Sequence, residues 1–348
     1  MDYIGYFVYP FHEKYGGAEV RAVEFENEFN LYAEKNDINI RIVRIHNEND
    51  LENIKAVIIY GAHYKNYPFF QYIKERTDLK IILSSVFVQN TNILIYNLFS
   101  RIKRPQSTIR ITSQMLKTAD YVFTNTNTEK ASLRKAFGIK SDLYNLPNMI
   151  NSNSIDFFKN ENFNLEEIRI DKINKSYICV GRIEPLKNQI KIINSLIKYK
   201  FKGHVVFVGR KNAEYKDYTA QFEKLISEYP ETFTYVKFME KPSLIKSMFN
   251  SKGLIFPSLF ETTGRTALEA AVVGIPMAVS NLPTVKEYLK DVKGVTYFNP
   301  KSEKSIYRAI DSMPENMIVN NKKDDFFFIY ENGLETYVNF FEKHILAC

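Results

Sequence analysis

The stretch "FPSLFETTGRTALEAAVVGIPMAVS", residues 256–280, reads as a strand end, a loop, a helix and a second strand. The spacing predicts a helix from about Arg265 to Val273, with Gly274 at its C′ position and Pro276 just beyond. Ala267, Leu268, Ala270, Ala271, Val272 and Val273 leave almost no polar face, so burial is expected. Glu269 stands among them, and a carboxylate there is costly unless it meets partners. Thr266, three residues earlier, shares its face, and Glu261 precedes the helix in the loop. Backbone amides and Thr266 suit a phosphate, and Glu269 suits a pair of hydroxyls. That set describes the ribose and phosphates of a nucleotide. A buried salt bridge or a helix cap is the alternative for Glu269, and for Glu261 as well.

Outward from this stretch, strands and helices alternate. Upstream stand "SYICVGR", "NQIKIINSLIKY", "GHVVFVGR", "TAQFEKLISEY", "FTYVKFME", "PSLIKSMFNS" and "GLIFPS". The N-terminal half repeats the pattern with the strands "YIGYFVY", "INIRIVRI", "AVIIYGA", "KIILSSVFV" and "YVFTNT", and with the helix "AEVRAVEFENEFNLYAEKN". Such alternation argues for parallel, doubly wound sheets. A polar Asn/Ser-rich segment near 148–172 interrupts it and reads as a linker. Two Rossmann-like domains are expected. Residues 1–155 form the first, with the C-terminal helix 332–348 packing back on it; residues 156–331 form the second. A length of 348 residues agrees with about two domains.

Ligands in open α/β sheets lie beyond the carboxyl ends of the strands. Besides the loop of Glu261, two others hold that position. In "YPFHEKYGGAEV", Gly16 and Gly17 follow a strand and open a helix, which favours close approach of an anion. In "VGRIEPLKNQI", Arg182 ends a strand and Lys187 lies where a helix begins. Cations at a helix N-terminus oppose its dipole by roughly 0.3–1 kcal/mol each. Arg182 and Lys187 therefore make sense around an anion such as a diphosphate.

Only two cysteines occur, Cys179 and Cys348, without metal-type spacing, so a reduced cytoplasmic protein is expected. No signal peptide or spanning helix is read. Residues 101–140 hold nine basic and two acidic side chains, which accounts for the whole formal charge of +7. An anionic membrane is one reading of that surface and a solvated basic face the other; no nucleic-acid partner is expected. In "TNILIYNLFSRIKRPQ", Leu94, Ile95, Leu98, Phe99 and Ile102 form one helical stripe, and Arg101, Lys103 and Arg104 adjoin it. This is the pattern of a helix lying on the inner face of a membrane, or of a core-facing helix with a basic end.

With these residues in order, the chain resembles the retaining glycosyltransferases of family 4, which have the GT-B fold. The landmarks are the Gly-Gly loop, "LPNMI" at the domain junction, "VGRIEPLKN", and Glu261 and Glu269 as E-x7-E before "LEAAVVGIP". "TADYVFTNT", with Asp120, is similar to the family's last N-terminal-domain strand. The resemblance implies that Arg182 and Lys187 neutralise the donor's diphosphate and that Glu269 takes the ribose hydroxyls. Glu261 would touch the donor sugar, and Gly264, Arg265 and Thr266 would line the sugar–phosphate turn. Gly16 and Gly17 would close over the donor. No cofactor and no divalent metal are implied, Arg182 and Lys187 supplying the positive charge.

Two departures accompany the resemblance. The family's histidine after the fourth strand is replaced by Ser84 and Ser85, leaving His63 and His12 as candidates beside Ser85 for acceptor or sugar contact. The usual "EGFG" loop is "ETTG". The function implied is hexosyl transfer with retention from a nucleoside-diphosphate sugar, UDP-sugars favoured, to a glycan or lipid-linked acceptor in cell-surface polysaccharide biosynthesis. A non-catalytic sugar-nucleotide or glycan binder and a nucleotide-sugar epimerase are the alternatives on the same scaffold.

Overall fold

The structure, a computed structural model, describes residues 1–9, 17–87, 93–101, 107–151, 176–314 and 326–347. The chain divides into two compact units, Met1–Asn151 with Phe327–Cys348, and Ser152–Phe326. The segment expected to be the linker falls mostly outside the described residues.

The first unit is a parallel sheet of six strands: β1 (Asp2–Phe7), β2 (Ile40–Ile45), β3 (Ile54–Tyr60), β4 (Lys80–Ser84), β5 (Tyr121–Thr124) and β6 (Leu143–Asn145). Their order across the sheet is β2-β1-β3-β4-β5-β6. Side chains alternate between the faces, as a period of two requires. Ile4, Tyr6, Ile58 and Tyr60 point to one face, where α1 (Gly17–Lys35) contributes Phe25 and Phe29. Phe7, Val57, Ile59 and Leu83 point to the other, against α2 (Tyr67–Arg76), α4 (Thr108–Thr118) and α5 (Asn127–Phe137). Between β4 and α4 lies α3 (Ile93–Arg101). With both faces covered, strands read as nearly continuous apolar runs.

The strand "YVFTNT" is not the last in this unit, because β6 follows and pairs with β5. At three residues on a sheet edge it is too short to show alternation in the sequence. Beside β4, Asp120 accepts a hydrogen bond from Ile81 N–H, 2.8 Å.

The second unit has the strands β7 (Ser176–Val180), β8 (His204–Val208), β9 (Phe233–Val236), β10 (Gly253–Phe256), β11 (Met277–Ser280) and β12 (Val295–Phe298). All are parallel, in the order β12-β11-β10-β7-β8-β9. Its helices are α6 (Gln189–Lys198), α7 (Lys216–Glu228), α8 (Lys241–Phe249), α9 (Arg265–Val273), α10 (Pro283–Tyr288) and α11 (Glu303–Asp311). Helix α9 has the span expected of it, and every residue from Ala267 to Val273 is buried.

The chain then returns to the first unit. Ile150 N–H donates to Phe328 C=O, and Tyr330 N–H to Ile150 C=O. These bonds lead into α12 (Tyr330–Phe341), whose Tyr337, Phe340 and Phe341 join the core beside Phe25 and Phe29.

Candidate functional site

In the second unit the strand order reverses between β7 and β10, the crevice where doubly wound sheets bind ligands. The loops that follow these two strands meet there. Leu259 N–H donates to Leu186 C=O at 2.8 Å, which fastens one loop to the other. Leu186 lies in a tight turn, Pro185–Lys187. This bond sets Lys187 beside Glu261, and the two side chains form an ion pair. Thr284 Oγ1 holds the Glu261 carbonyl from below at 2.7 Å. Gly209, at the end of β8, allows a close approach here: a Cβ would come within 2.0 Å of the Gly181 carbonyl oxygen.

Arg182 is fixed at its base and exposed at its tip. Gln189 Nε2 donates to its carbonyl at 2.7 Å. Its guanidinium is 66% exposed and lies 3.4 Å from Glu184 Oε1. Glu184 is buried and also accepts from Asn212 Nδ2, 2.7 Å.

Helix α9 begins at Gly264, whose φ of +76° is in the left-handed region. The backbone there favours glycine, and a Cβ would also crowd the Phe256 ring at 3.0 Å. No side chain caps this helix. Ala267 N–H bonds back to Gly264 C=O at 2.8 Å, and the positive end of the helix dipole favours an anion at this end. Arg265 and Thr266 stand half-buried beside them.

Glu269, one turn in, is buried and ion-paired with Lys241. Arg265 Nη2 is 4.0 Å from the same carboxylate oxygen. Each carboxylate of the E-x7-E pair thus has a lysine from another element: Lys187 for Glu261 and Lys241 for Glu269. The salt bridge weighed for Glu269 is present, and it leaves the second carboxylate oxygen, Oε2, outside the pair with Lys241. Sequence reading missed Lys241. The signal was available, because Lys241 opens α8 and opposes its dipole just as Lys187 opposes that of the helix after it.

The other candidates lie in the first unit. His63 and Ser85, at the ends of β3 and β4, line one cavity of about 620 Å³ with Tyr60, Phe87, Tyr96 and Thr112. His63 Nδ1 accepts from Lys65 N–H at 3.2 Å, which leaves the ring proton on Nε2. Burial, with the Lys65 charge nearby, lowers the imidazole pKa. Ser85 Oγ donates to Glu129 Oε1 at 2.6 Å, so its proton is committed. Glu129, not singled out in the sequence, is buried and takes three further hydrogen bonds. They come from Phe87 N–H, Asn125 N–H and Asn125 Nδ2. Burial raises its pKa while these donors lower it.

His12 and Gly16 lie outside the described residues, and Gly17 opens α1. Lys103, Arg104 and Ile102 lie outside them too, as do the side chains of Leu94 and Arg101. On α3, Ile95, Leu98 and Phe99 are 42%, 60% and 40% exposed. These three side chains of the stripe therefore face outward, and the core-facing alternative does not hold for them. Helix α5 is its neighbour, joined by Asn97 Nδ2 to Lys135 C=O at 3.0 Å, and Arg134 and Lys135 are exposed there. Among the described residues no helix is long and apolar enough to cross a membrane.

Residues 160–325 match the family described as glycosyl transferases group 1. The O-antigen chain mannosyltransferase RfbU of Salmonella typhimurium is 26% identical over 212 residues, 58% of this chain and 52% of that protein. An uncharacterized glycosyltransferase, MJ1607 of Methanocaldococcus jannaschii, is 24% identical over 50% of this chain and 46% of its own. The chain thus spans about half the length of the curated relatives it matches. Sucrose-phosphate synthase from Thermosynechococcus elongatus superposes over the whole of both chains with a TM-score of 0.77 at 11% identity. Anabaena Alr3699/HepE, solved in complex with UDP, covers 99% of this chain and 100% of its own, with a TM-score of 0.67 at 13% identity. At these identities the likeness is one of fold, and the fold is GT-B.

Proposed function

We propose, from the match of residues 160–325 to the glycosyl transferases group 1 family, that this protein transfers a hexose with retention from a nucleoside-diphosphate sugar to a glycan acceptor. The observation that carries the reading is the convergence at the β7/β10 crevice. An uncapped helix N-terminus, an exposed Arg182, Lys187 and the two lysine-paired carboxylates all meet there. The α9 amides and Lys187 take the diphosphate, with Arg182 closing from solvent. Glu269 accepts the ribose hydroxyls. Glu261, turned toward the sugar by its lysine and by Thr284, orients the donor hexose.

In transfer, the bond between the anomeric carbon and the diphosphate oxygen breaks, and negative charge grows on the leaving phosphate. Lys187 and Arg182 stabilise that charge in place, so no divalent metal is needed for the step. The leaving phosphate takes the proton of the acceptor hydroxyl as the new glycosidic bond forms on the same face. A UDP-sugar is the proposed donor, because Anabaena HepE of the same fold was solved with UDP. Cell-surface polysaccharide is the proposed product class, because the relative RfbU is an O-antigen chain mannosyltransferase.

Membrane contact is the finer part of this proposal. The exposed Ile95, Leu98 and Phe99 of α3 beside the exposed Arg134 and Lys135 support a helix lying on an anionic leaflet. The test of the main reading is direct. UDP- and GDP-hexoses are each incubated with the protein in the presence of a chelator, and released nucleoside diphosphate is followed. Turnover with one donor, giving a product of unchanged anomeric configuration, is the expected result. Absence of any release from every donor, in a protein that binds the nucleotide, removes the transferase reading.

A further inference from the structure

The strand order of the first unit also reverses, between β1 and β3. Among the described residues, two cavities open at their carboxyl ends. The first is the room of His63 and Ser85. The second, about 630 Å³, opens on the other side, beyond β1 and β2. Tyr9 lines both and stands between them.

The second cavity has an unusual wall. Five of its lining residues are aromatic: Phe7, Tyr9, Tyr64, Phe69 and Tyr72. Tyr9 and Tyr64 are 47% and 53% exposed. Phe7 and Phe69 stack with ring centres 3.9 Å apart and form its floor. The remaining wall is His46, Asn47, Glu48, Lys65 and Pro68, all exposed. Asn47 uses its side-chain oxygen to accept from Asn49 N–H, which leaves its NH2 group as a donor.

Rings in the floor and hydrogen-bonding groups at the rim select a ligand that has both characters. A purely apolar ligand would strip water from Glu48 and Lys65 without replacing their hydrogen bonds. A polyanion meets one carboxylate for one ammonium, so the charge does not favour it. A sugar ring fits. Its slightly positive C–H face lies on the negative π faces of tyrosines, and its hydroxyls reach the amide, carboxylate and ammonium.

We propose that this cleft is a glycan-binding site that holds the inner sugars of an oligosaccharide acceptor. The acceptor's terminal sugar passes Tyr9 into the room of His63 and Ser85. The inference rests on the transferase reading for the direction of the chain, but the binding of glycan to the cleft stands without it. The acceptor is thus an oligosaccharide of at least two units, and a monosaccharide is a poor substitute.

The experiment uses the full chain on a printed array of neutral oligosaccharides of two to six hexose or N-acetylhexosamine units. Tyr64→Ala and Tyr64→Phe are compared with the wild type, and UDP and GDP binding is measured on the same preparations. Tyr64 is exposed, so neither substitution threatens the core. Glycan binding that strengthens with length, falls about tenfold in Tyr64→Ala and persists in Tyr64→Phe is the expected result. Wild type that binds nucleotide but no oligosaccharide overturns the inference and leaves the transferase reading intact. So does a Tyr64→Ala protein that binds glycans as the wild type does. Glycan binding of the expected pattern in a protein that binds no nucleotide supports the site and removes the transferase reading instead.

Discussion

Lys187 and Glu261, 74 residues apart in sequence, form an ion pair across the two loops of the β7/β10 crevice. The pair is half sheltered, with side-chain exposures of 25% and 15%. Its geometry is set by backbone, through the Leu259–Leu186 hydrogen bond. Lys187→Ala is therefore expected to keep the fold. It should lower turnover by about 100-fold or more, the scale of losing one preorganised charge-stabilising group. Arg182→Ala should act in the same direction. Near-normal turnover in well-folded Lys187→Ala would remove the phosphate role.

Glu269 and Glu261 should separate in their effects. Glu269→Gln is expected to weaken binding of the bare nucleoside diphosphate, because that carboxylate is assigned to ribose. Glu261→Gln is expected to spare nucleotide affinity and lower transfer. Calorimetry on both variants checks this, and equal nucleotide affinity in wild type and Glu269→Gln would be the wrong outcome.

Lys241 is predicted to hold Glu269 in place. Lys241→Met should weaken nucleotide binding in wild type but have little effect on top of Glu269→Gln, since the charge it steadies is then gone. A double-mutant cycle on nucleotide affinity reads this coupling. Strict additivity of the two changes would show that Lys241 acts elsewhere.

Glu129 is expected to be required as a carboxylate. Four donors converge on its two oxygens, so Glu129→Gln places an NH2 group against at least one of them. The expected loss is about 1–3 kcal/mol for each donor left unsatisfied in the interior. Urea denaturation measures it, and an unchanged midpoint would contradict the arrangement.

The lowered pKa of His63 gives a pH dependence with a definite sign. The folded state binds the His63 proton less readily than the unfolded state, whose pKa is about 6.5. The unfolded state thus carries more protons in the interval below 6.5, and stability rises with pH there. Its contribution is complete above about pH 6.5 and declines as the pH falls toward the depressed folded value. His63→Asn, which can still accept from Lys65 N–H, should flatten this part of the profile. Identical slopes of melting temperature against pH in the two proteins would refute it.

The outward face of α3 predicts salt-sensitive binding to anionic vesicles. Replacing Ile95, Leu98 and Phe99 together by Ser is expected to abolish co-sedimentation. Changing Arg101, Lys103 and Arg104 together to Glu should weaken it most at low salt. The wild type staying in the supernatant at low salt would end the membrane proposal.

Local patterns carried much of this protein. The span of α9, its burial and its Gly274 end follow from a run of small apolar residues with a glycine stop, which are properties of neighbours along the chain. The alternation of strand and helix carried the two parallel sheets, because apolar periodicity is also local. Edge strands β6 and β12 escaped, being too short and too half-exposed for a period to register. What the sequence left open was pairing. Glu269 needed a partner, and although Lys241 stood out at the start of another helix, the sequence did not say that these two, 28 residues apart, would meet. Glu129 read as one acid in a basic region until β4 and β5 brought Ser85 and Asn125 onto it. The tyrosines of the second cavity lie on separate segments, β1 to α2, and become one wall only when β1 and β3 stand side by side. Apolar burial is decided by the pattern of each segment. Which charge meets which is decided by strand order and loop register, which place distant residues within a few ångströms.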